Sequence, residues 1–222
     1  MDRSELAIAC VLKTGRWRTG IGSRVVNYEP KHVRWLKRQC DQYAPGVRFV
    51  CLTNESKIDG VDTIPLQYNW PGWWSKMELF GHDLGRVLYM DLDTVIVGPL
   101  DEMLAYPHQF TALNSLGKKS VRLLNSGLMA WQGARPDLFE PFKRDPQRWI
   151  NECRTAKCWG DQGFIARHIG DKWEAWQNLF PGSVGSYKNT WKRQKPPASA
   201  RIVCFLGTPK PYEVHHDWVP KC

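Results

Sequence analysis

No stretch of this 222-residue sequence approaches the roughly 20 consecutive apolar residues of a membrane helix. The run Leu6–Leu12 is far shorter, and no basic segment precedes it. Neither a spanning segment nor a secretory leader is expected, and the reading is of a cytoplasmic protein. No internal repeat or clear linker divides the chain, so a single domain over residues 1–222 is expected. An even cysteine framework is missing too. The seven cysteines are scattered, mostly among apolar residues, which argues for reduced thiols. Only Cys153 and Cys158 lie close together. With no second Cys or His pair at zinc-ligand spacing, a structural zinc is not expected.

Acidic residues are scarce at both ends. Residues 1–40 carry nine Lys/Arg against three acids and residues 118–222 eighteen against nine, whereas residues 41–117 carry four against ten. The net charge of +9 therefore surrounds an acidic middle. A polyanionic partner, such as a nucleotide or a nucleic acid, suits that distribution. With 42% hydrophobic and 24% charged residues the composition is that of a globular protein.

The acidic middle contains Arg86 to Leu100, RVLYMDLDTVIVGPL. Its apolar flanks read as a strand buried on both faces. Within one continuous strand, Asp91 and Asp93 would share a face, roughly 6.6 Å apart at about 3.3 Å per residue. Two carboxylates buried there demand a cation or a solvent-facing strand end. A hard divalent ion, Mn²⁺ or Mg²⁺, held by one or two carboxylates together with substrate phosphates fits the pattern.

Elsewhere the chain alternates strands and helices. Leu6–Leu12 is an opening strand whose polar exit, Lys13-Thr14-Gly15, stands where open α/β sheets bind nucleotides. Residues 15–27 read as a basic loop. Pro30 starts a helix with Val33, Leu36 and Cys40 on one face, and Pro45-Gly46 stops it. Strands follow at Val47–Thr53 and Val61–Leu66, an order that implies a parallel βαβ unit. Ser75 and Glu78 suggest a capping box at the start of a helix. Asp101–Leu104 should begin a short helix, Phe110–Leu113 should be a strand, and Gly117–Ser120 a basic turn. In the strand Leu123–Trp131, the tripeptide Asn125-Ser126-Gly127 interrupts the apolar pattern and asks for a ligand or a close backbone approach. Pro136–Arg148 reads as one helix and Gly160-Asp161-Gln162-Gly163 opens another. Residues 181–200 are expected to be a flexible basic loop, and Ile202–Leu206 a last strand.

Five motifs in order, Trp74-Ser75-Lys76, VLYMDLDTVIVGPLDEM, LLNSGLMAW, WGDQGF and IVCFLGTPKP, resemble the GT-A-fold retaining glycosyltransferases related to glycogenin and the bacterial lipooligosaccharide galactosyltransferases. The resemblance covers about residues 74 to 211. It implies an α/β fold, a GT-A (Rossmann-like) domain with a mixed, mostly parallel central sheet flanked by helices. It also implies a transferase that moves a sugar from a nucleotide sugar, most simply a UDP-sugar, with Mn²⁺ or Mg²⁺. Asp93 would bind the metal, and Asp91 would hold metal and donor ribose. Lys76 would contact the donor diphosphate or sugar, Asn125 and Asp161 the transferred sugar, and Gln162 its reacting face. Lys210, helped by the Gly207 backbone, would offset the charge of the leaving diphosphate. The loop Val11, Leu12 to Thr14 would cradle the base.

One position departs from the family. The histidine that supplies the third metal ligand is replaced here by Cys204, a soft and poor ligand for these ions. His215 or His216 would take its place, or water and donor phosphates would complete the shell. The acceptor is open. The basic segment 188–195, with Tyr187 and Trp191 beside it, could track a phosphate backbone and stack bases, which makes a hydroxylated base in DNA one acceptor class. A glycan, lipid or protein hydroxyl is the other. A metal-dependent nucleotidyltransferase and a non-enzymatic nucleic-acid-binding domain are the competing readings.

Overall fold

The computed structural model describes residues 3–15, 28–115 and 123–222. Most of the expected basic loop 15–27 and the Gly117–Ser120 turn lie outside them. In chain order the elements are β1 (Leu6–Leu12), α1 (Pro30–Tyr43), β2 (Arg48–Thr53), β3 (Asp62–Pro65), a 3₁₀ helix (Gly72–Gly81), β4 (Arg86–Met90) and β5 (Thr94–Ile96). Then come α2 (Asp101–Ala105), β6 (Phe110–Asn114), β7 (Leu124–Gln132), α3 (Pro136–Arg144) and α4 (Pro146–Glu152). The chain continues through β8 (Arg154–Thr155), β9 (Cys158–Trp159), α5 (Gly160–Ile169), β10 (Glu174–Ala175), α6 (Trp176–Leu179), β11 (Val184–Ser186) and β12 (Ile202–Cys204).

Among the described residues a seven-stranded sheet runs β10-β6-β7-β4-β1-β2-β3. All its neighbouring strands are parallel except β7, which runs antiparallel to both β4 and β6. β1 and β4 read as unbroken apolar runs because each is covered on both faces. Leu6, Ile8, Cys10 and Leu12 join Leu88 and Met90 in the core under α1, whereas Ala7, Ala9, Val87 and Tyr89 face the core built by the 3₁₀ helix, α3 and α5. The chain crosses from β1 through α1 to β2 on one side and returns to place β4 on the other. Ligands of open α/β sheets bind in the crevice at such a switch point, beyond the carboxyl ends of the strands.

Three local expectations are corrected. Ser75 caps no helix: it lies inside the 3₁₀ helix with its hydroxyl donating to the Gly72 carbonyl, while Glu78 accepts from the backbone N–H groups of Gln67 and Tyr68. The helix expected over Pro136–Arg148 is two helices, broken at Asp145, because the residue before a proline is pushed out of the α region. Residues 181–200 are not all loop. β11 pairs in parallel with β12 and is buried, and the Tyr187 ring stacks on Phe205 with 4% of its surface exposed. Tyr187 is therefore unavailable for base stacking, and Trp191 packs against the same core.

Two buried histidines make folding pH-dependent. His108 stands between the Met103 carbonyl and the Thr111 hydroxyl, 2.7 Å from each, an arrangement suited to the neutral ring with its proton on Nε2. The Nδ1 of His32 accepts from the Glu29 backbone N–H at 2.9 Å. Burial lowers both rings from the ordinary histidine value of 6.5. The unfolded chain thus takes up these protons first, and stability is lost as pH falls below that value. Thermal melts should show the melting temperature dropping between about pH 7 and about pH 5, less so in His108→Gln; a flat profile would contradict this.

Candidate active site

The continuous strand expected through the two aspartates does not exist. β4 ends at Met90, residues 91–93 turn, and β5 belongs to a second sheet of order β11-β12-β5. The Thr94 N–H closes the turn on the Asp91 carbonyl at 3.1 Å, and the Asp91 N–H is held by the Gly127 carbonyl at 2.9 Å. The carboxylates are thus presented at a strand end, Asp91 a third exposed and Asp93 buried, and each has its own set of partners.

Asp91 faces the core side of Tyr89. Its Oδ1 accepts from the Tyr89 hydroxyl and lies 3.1 Å from the Lys76 ammonium, and its side chain is 34% exposed. Lys76, 4% exposed, also lies 2.9 Å from Asp161 Oδ2 and donates to the Ser126 carbonyl and hydroxyl. The Ser126 hydroxyl donates to Asp161 Oδ2 at 2.6 Å. Burial by itself would lower the Lys76 ammonium; the charges of Asp161 and Asp91 more than reverse that and leave its pKa raised. This lysine stays charged and ties three segments together.

β7 supplies Ser126 through an irregularity. Met129 pairs with Ala112 but the next pairing joins Asn125 to Leu113, so residues 126–128 are accommodated in a bulge. The interruption by Asn-Ser-Gly marks that bulge, and a Cβ on Gly127 would stand 3.2 Å from Asp91 Oδ2. Asn125 Nδ2 donates to Gln162 Oε1 at 3.1 Å. Asp161 and Gln162 occupy the first turn of α5, whose start at Gly160 takes a positive φ of 58° beside the Trp73 ring. Lys76, Asp91, Asn125, Asp161 and Gln162 are therefore brought together.

Asp93 looks the other way. It is 7% exposed, forms an ion pair with Lys210, and accepts from the Tyr28 hydroxyl. Burial raises its carboxyl above the usual range and Asp91 adds to this, while Lys210 and Tyr28 hold it down. The Lys210 ammonium lies 5.5 Å from the centre of the Tyr28 ring. Gly207 sits in the turn between β12 and Lys210 with a φ of 74°, and the Lys188 ammonium would be 3.3 Å from a Cβ placed there.

The residues expected to cradle the base sit at the carboxyl end of β1. Leu12 is wholly buried in the core and offers only backbone. Thr14 is tied to the loop after β2, its N–H donating to Asn54 Oδ1 at 2.8 Å and its hydroxyl to Glu55. Val11 is partly exposed at the same end of β1.

The donor set suits a hard cation in part. Two carboxylates, one of them a third exposed, offer the oxygen ligands that Mg²⁺ or Mn²⁺ takes alongside phosphates and water. Cys204 does not suit it. The thiol is buried opposite Thr94, and burial together with the nearby Asp93 and Asp91 charges raises its pKa, so it stays protonated. His215 is exposed on the tail, lining a groove with His32 and Tyr212, and His216 contacts the Tyr187 hydroxyl at 2.8 Å. Among the described residues no group of three His, Cys, Asp or Glu side chains able to hold a metal comes together, so neither histidine joins Asp91 and Asp93.

Tyr28, Tyr89 and Ser126 are not among the residues expected in the site from sequence. Only Ser126 carried a signal, its place in the polar tripeptide of an apolar strand.

Solved structures share this architecture. The galactosyltransferase LgtC, crystallised with donor and acceptor sugar analogs, superposes with a TM-score of 0.61 at 14% identity, over 95% of this chain and 90% of its own. The fold is GT-A. A glycosyltransferase involved in glycosylating the major capsid of PBCV-1 matches at a TM-score of 0.54 and 13% identity, over 92% of this chain and 94% of its own. GlyE from Streptococcus pneumoniae TIGR4 matches at 0.59 and 13% over 93% of this chain, which spans 55% of GlyE. No protein-family model and no curated protein sequence matches the chain. In this GT-A chain the two carboxylate clusters lie at the junction of the large and small sheets, and among the described residues no helix is long and apolar enough to cross a membrane.

Proposed function

We propose that this chain is a metal-dependent retaining glycosyltransferase that moves a sugar from a nucleotide sugar, a UDP-sugar in the simplest reading, to a hydroxyl acceptor. The observation that carries the reading is the gathering of Asp91, Lys76, Asp161, Ser126, Asn125 and Gln162 at the switch-point end of a GT-A sheet. Sugar hydroxyls need fixed carboxylate and amide partners, and Asp161, Asn125 and Gln162 offer both. Lys76 holds Asp161 in place through their ion pair. Gln162, oriented by Asn125, lines the reacting face of the sugar. Asp91 and Asp93 hold the divalent ion, which when bound offsets charge developing on the departing diphosphate. Lys210, with the Gly207 backbone and Lys188 beside it, adds positive charge at the same place.

Two acceptor classes follow from different observations. The net charge of +9 and the exposed Lys192, Arg193 and Lys195 support a hydroxylated base in DNA. The burial of Tyr187 supports a glycan, lipid or protein hydroxyl, since the stacking surface a nucleic acid would use is spent on Phe205.

The test is nucleotide release from a panel of UDP- and GDP-sugars with Mn²⁺, in wild type and Asp93→Ala, with and without hydroxymethylated DNA. The expected result is UDP release that requires Asp93. Stimulation by DNA that fades as salt rises selects the first acceptor class, and indifference to DNA selects the second. Release of pyrophosphate from a nucleoside triphosphate, with none from any nucleotide sugar, would replace the reading with a nucleotidyltransferase.

A further inference from the structure

We infer that Lys210 is an internal occupant of the Asp93 carboxylate, so that a divalent cation and a nucleoside diphosphate enter this site as a coupled pair. The inference rests on the reading that Asp91 and Asp93 are the cation's protein ligands.

The two carboxylates are not equally available. Asp91 keeps a third of its side chain exposed, whereas the Asp93 side chain is 10% exposed and its Lys210 partner 8%. Asp93 and Lys210 neutralise each other in a nearly dry place, with the Tyr28 hydroxyl on the carboxylate and the Tyr28 ring under the ammonium. A cation that takes Asp93 by itself would strand the Lys210 ammonium, and removing one partner from a buried ion pair is strongly unfavourable. A diphosphate supplies the anion that Lys210 then needs. The Lys210 backbone stays where it is, because its N–H is held by Glu213 Oε2 at 2.9 Å and Pro211 follows it. Only the side chain has to swing. The buried Cys204 sulfur, a soft ligand, strengthens this dependence, since it gives a hard ion no third protein ligand with which to compete for Asp93.

Such a coupling is reciprocal: UDP tightens the cation and the cation tightens UDP by the same factor. Binding of Mn²⁺, followed by electron paramagnetic resonance of the free ion, tests it without any turnover. UDP should tighten Mn²⁺ about tenfold or more in wild type. In Lys210→Met, Mn²⁺ alone should bind about tenfold tighter than to wild type, and the gain from UDP should shrink. Lys210→Gln, which keeps a polar group beside Asp93, should behave likewise, and Lys210→Arg should restore the wild-type pattern. Equal or weaker binding of Mn²⁺ alone to both neutral variants, each melting as wild type does, overturns the inference. Coupling without sugar transfer from any donor would leave it standing while the transferase reading fell. Transfer that persists in chelator, with no Mn²⁺ bound even with UDP, would overturn the inference and the metal dependence and leave sugar transfer standing.

Discussion

Lys76→Met is expected to lower the stability of the fold by about 3–5 kcal/mol, the usual result of removing one partner from a buried ionic network. The Lys76 side chain is 5% exposed and stands between Asp91 and Asp161, which would lose their shared cation and keep the Tyr89 and Ser126 hydroxyls. Methionine matches the lysine stem in bulk, so a cavity contributes little. Denaturant unfolding of the variant would measure the loss. A variant as stable as wild type at neutral pH would mean that the network is worth no more than a surface pair.

Asp161→Asn is expected to reduce nucleotide-sugar turnover by about 10²–10³-fold, the range found when one preorganised polar group at a reacting centre is lost. The substitution keeps the shape at the first turn of α5 but turns an acceptor toward Lys76 into an amide. The Asn125–Gln162 hydrogen bond one residue along survives, so the loss should fall on turnover and leave UDP affinity close to wild type. Steady-state rates paired with UDP titration separate the two. Loss of UDP affinity with turnover unchanged would move Asp161 out of the sugar site and into the nucleotide site.

Much of the fold could be read from the chain because this sheet is buried on both faces. β1 is apolar throughout, and β2 and β4 are apolar over residues 49–52 and 87–90, on account of the two cores they separate, and that is a pattern local sequence carries. The helix beginning at Pro30 and the one opening at Gly160 were legible from their punctuation. The aspartate segment was the informative miss. An apolar run continued on both sides of Asp91 and Asp93, and nothing local distinguishes one long strand from two short ones in different sheets. The capping box at Ser75 and Glu78 failed for a related reason: the right residues stood at the right spacing, and distant backbone amides at 67 and 68 claimed the carboxylate. Of the candidate residues, those at 76, 91, 125, 161 and 162 come together and His215 stands apart, and which lysine faced which aspartate depended on the turn between the sheets.

That turn has a bearing on how the protein could be altered. The side chains assigned to the sugar, at 76, 125, 161 and 162, hang from or pack on the large sheet, whereas Lys188, Gly207 and Lys210 leave the ends of β11 and β12 in the small one. Residues 91–93 are the covalent joint through which β4 runs on into β5. Free-energy changes on the two sides should add when combined, and departures from additivity should concentrate in pairs that include Asp91 or Asp93. An engineer could then retune sugar choice and leaving-group handling as separate modules, provided the joint is left alone.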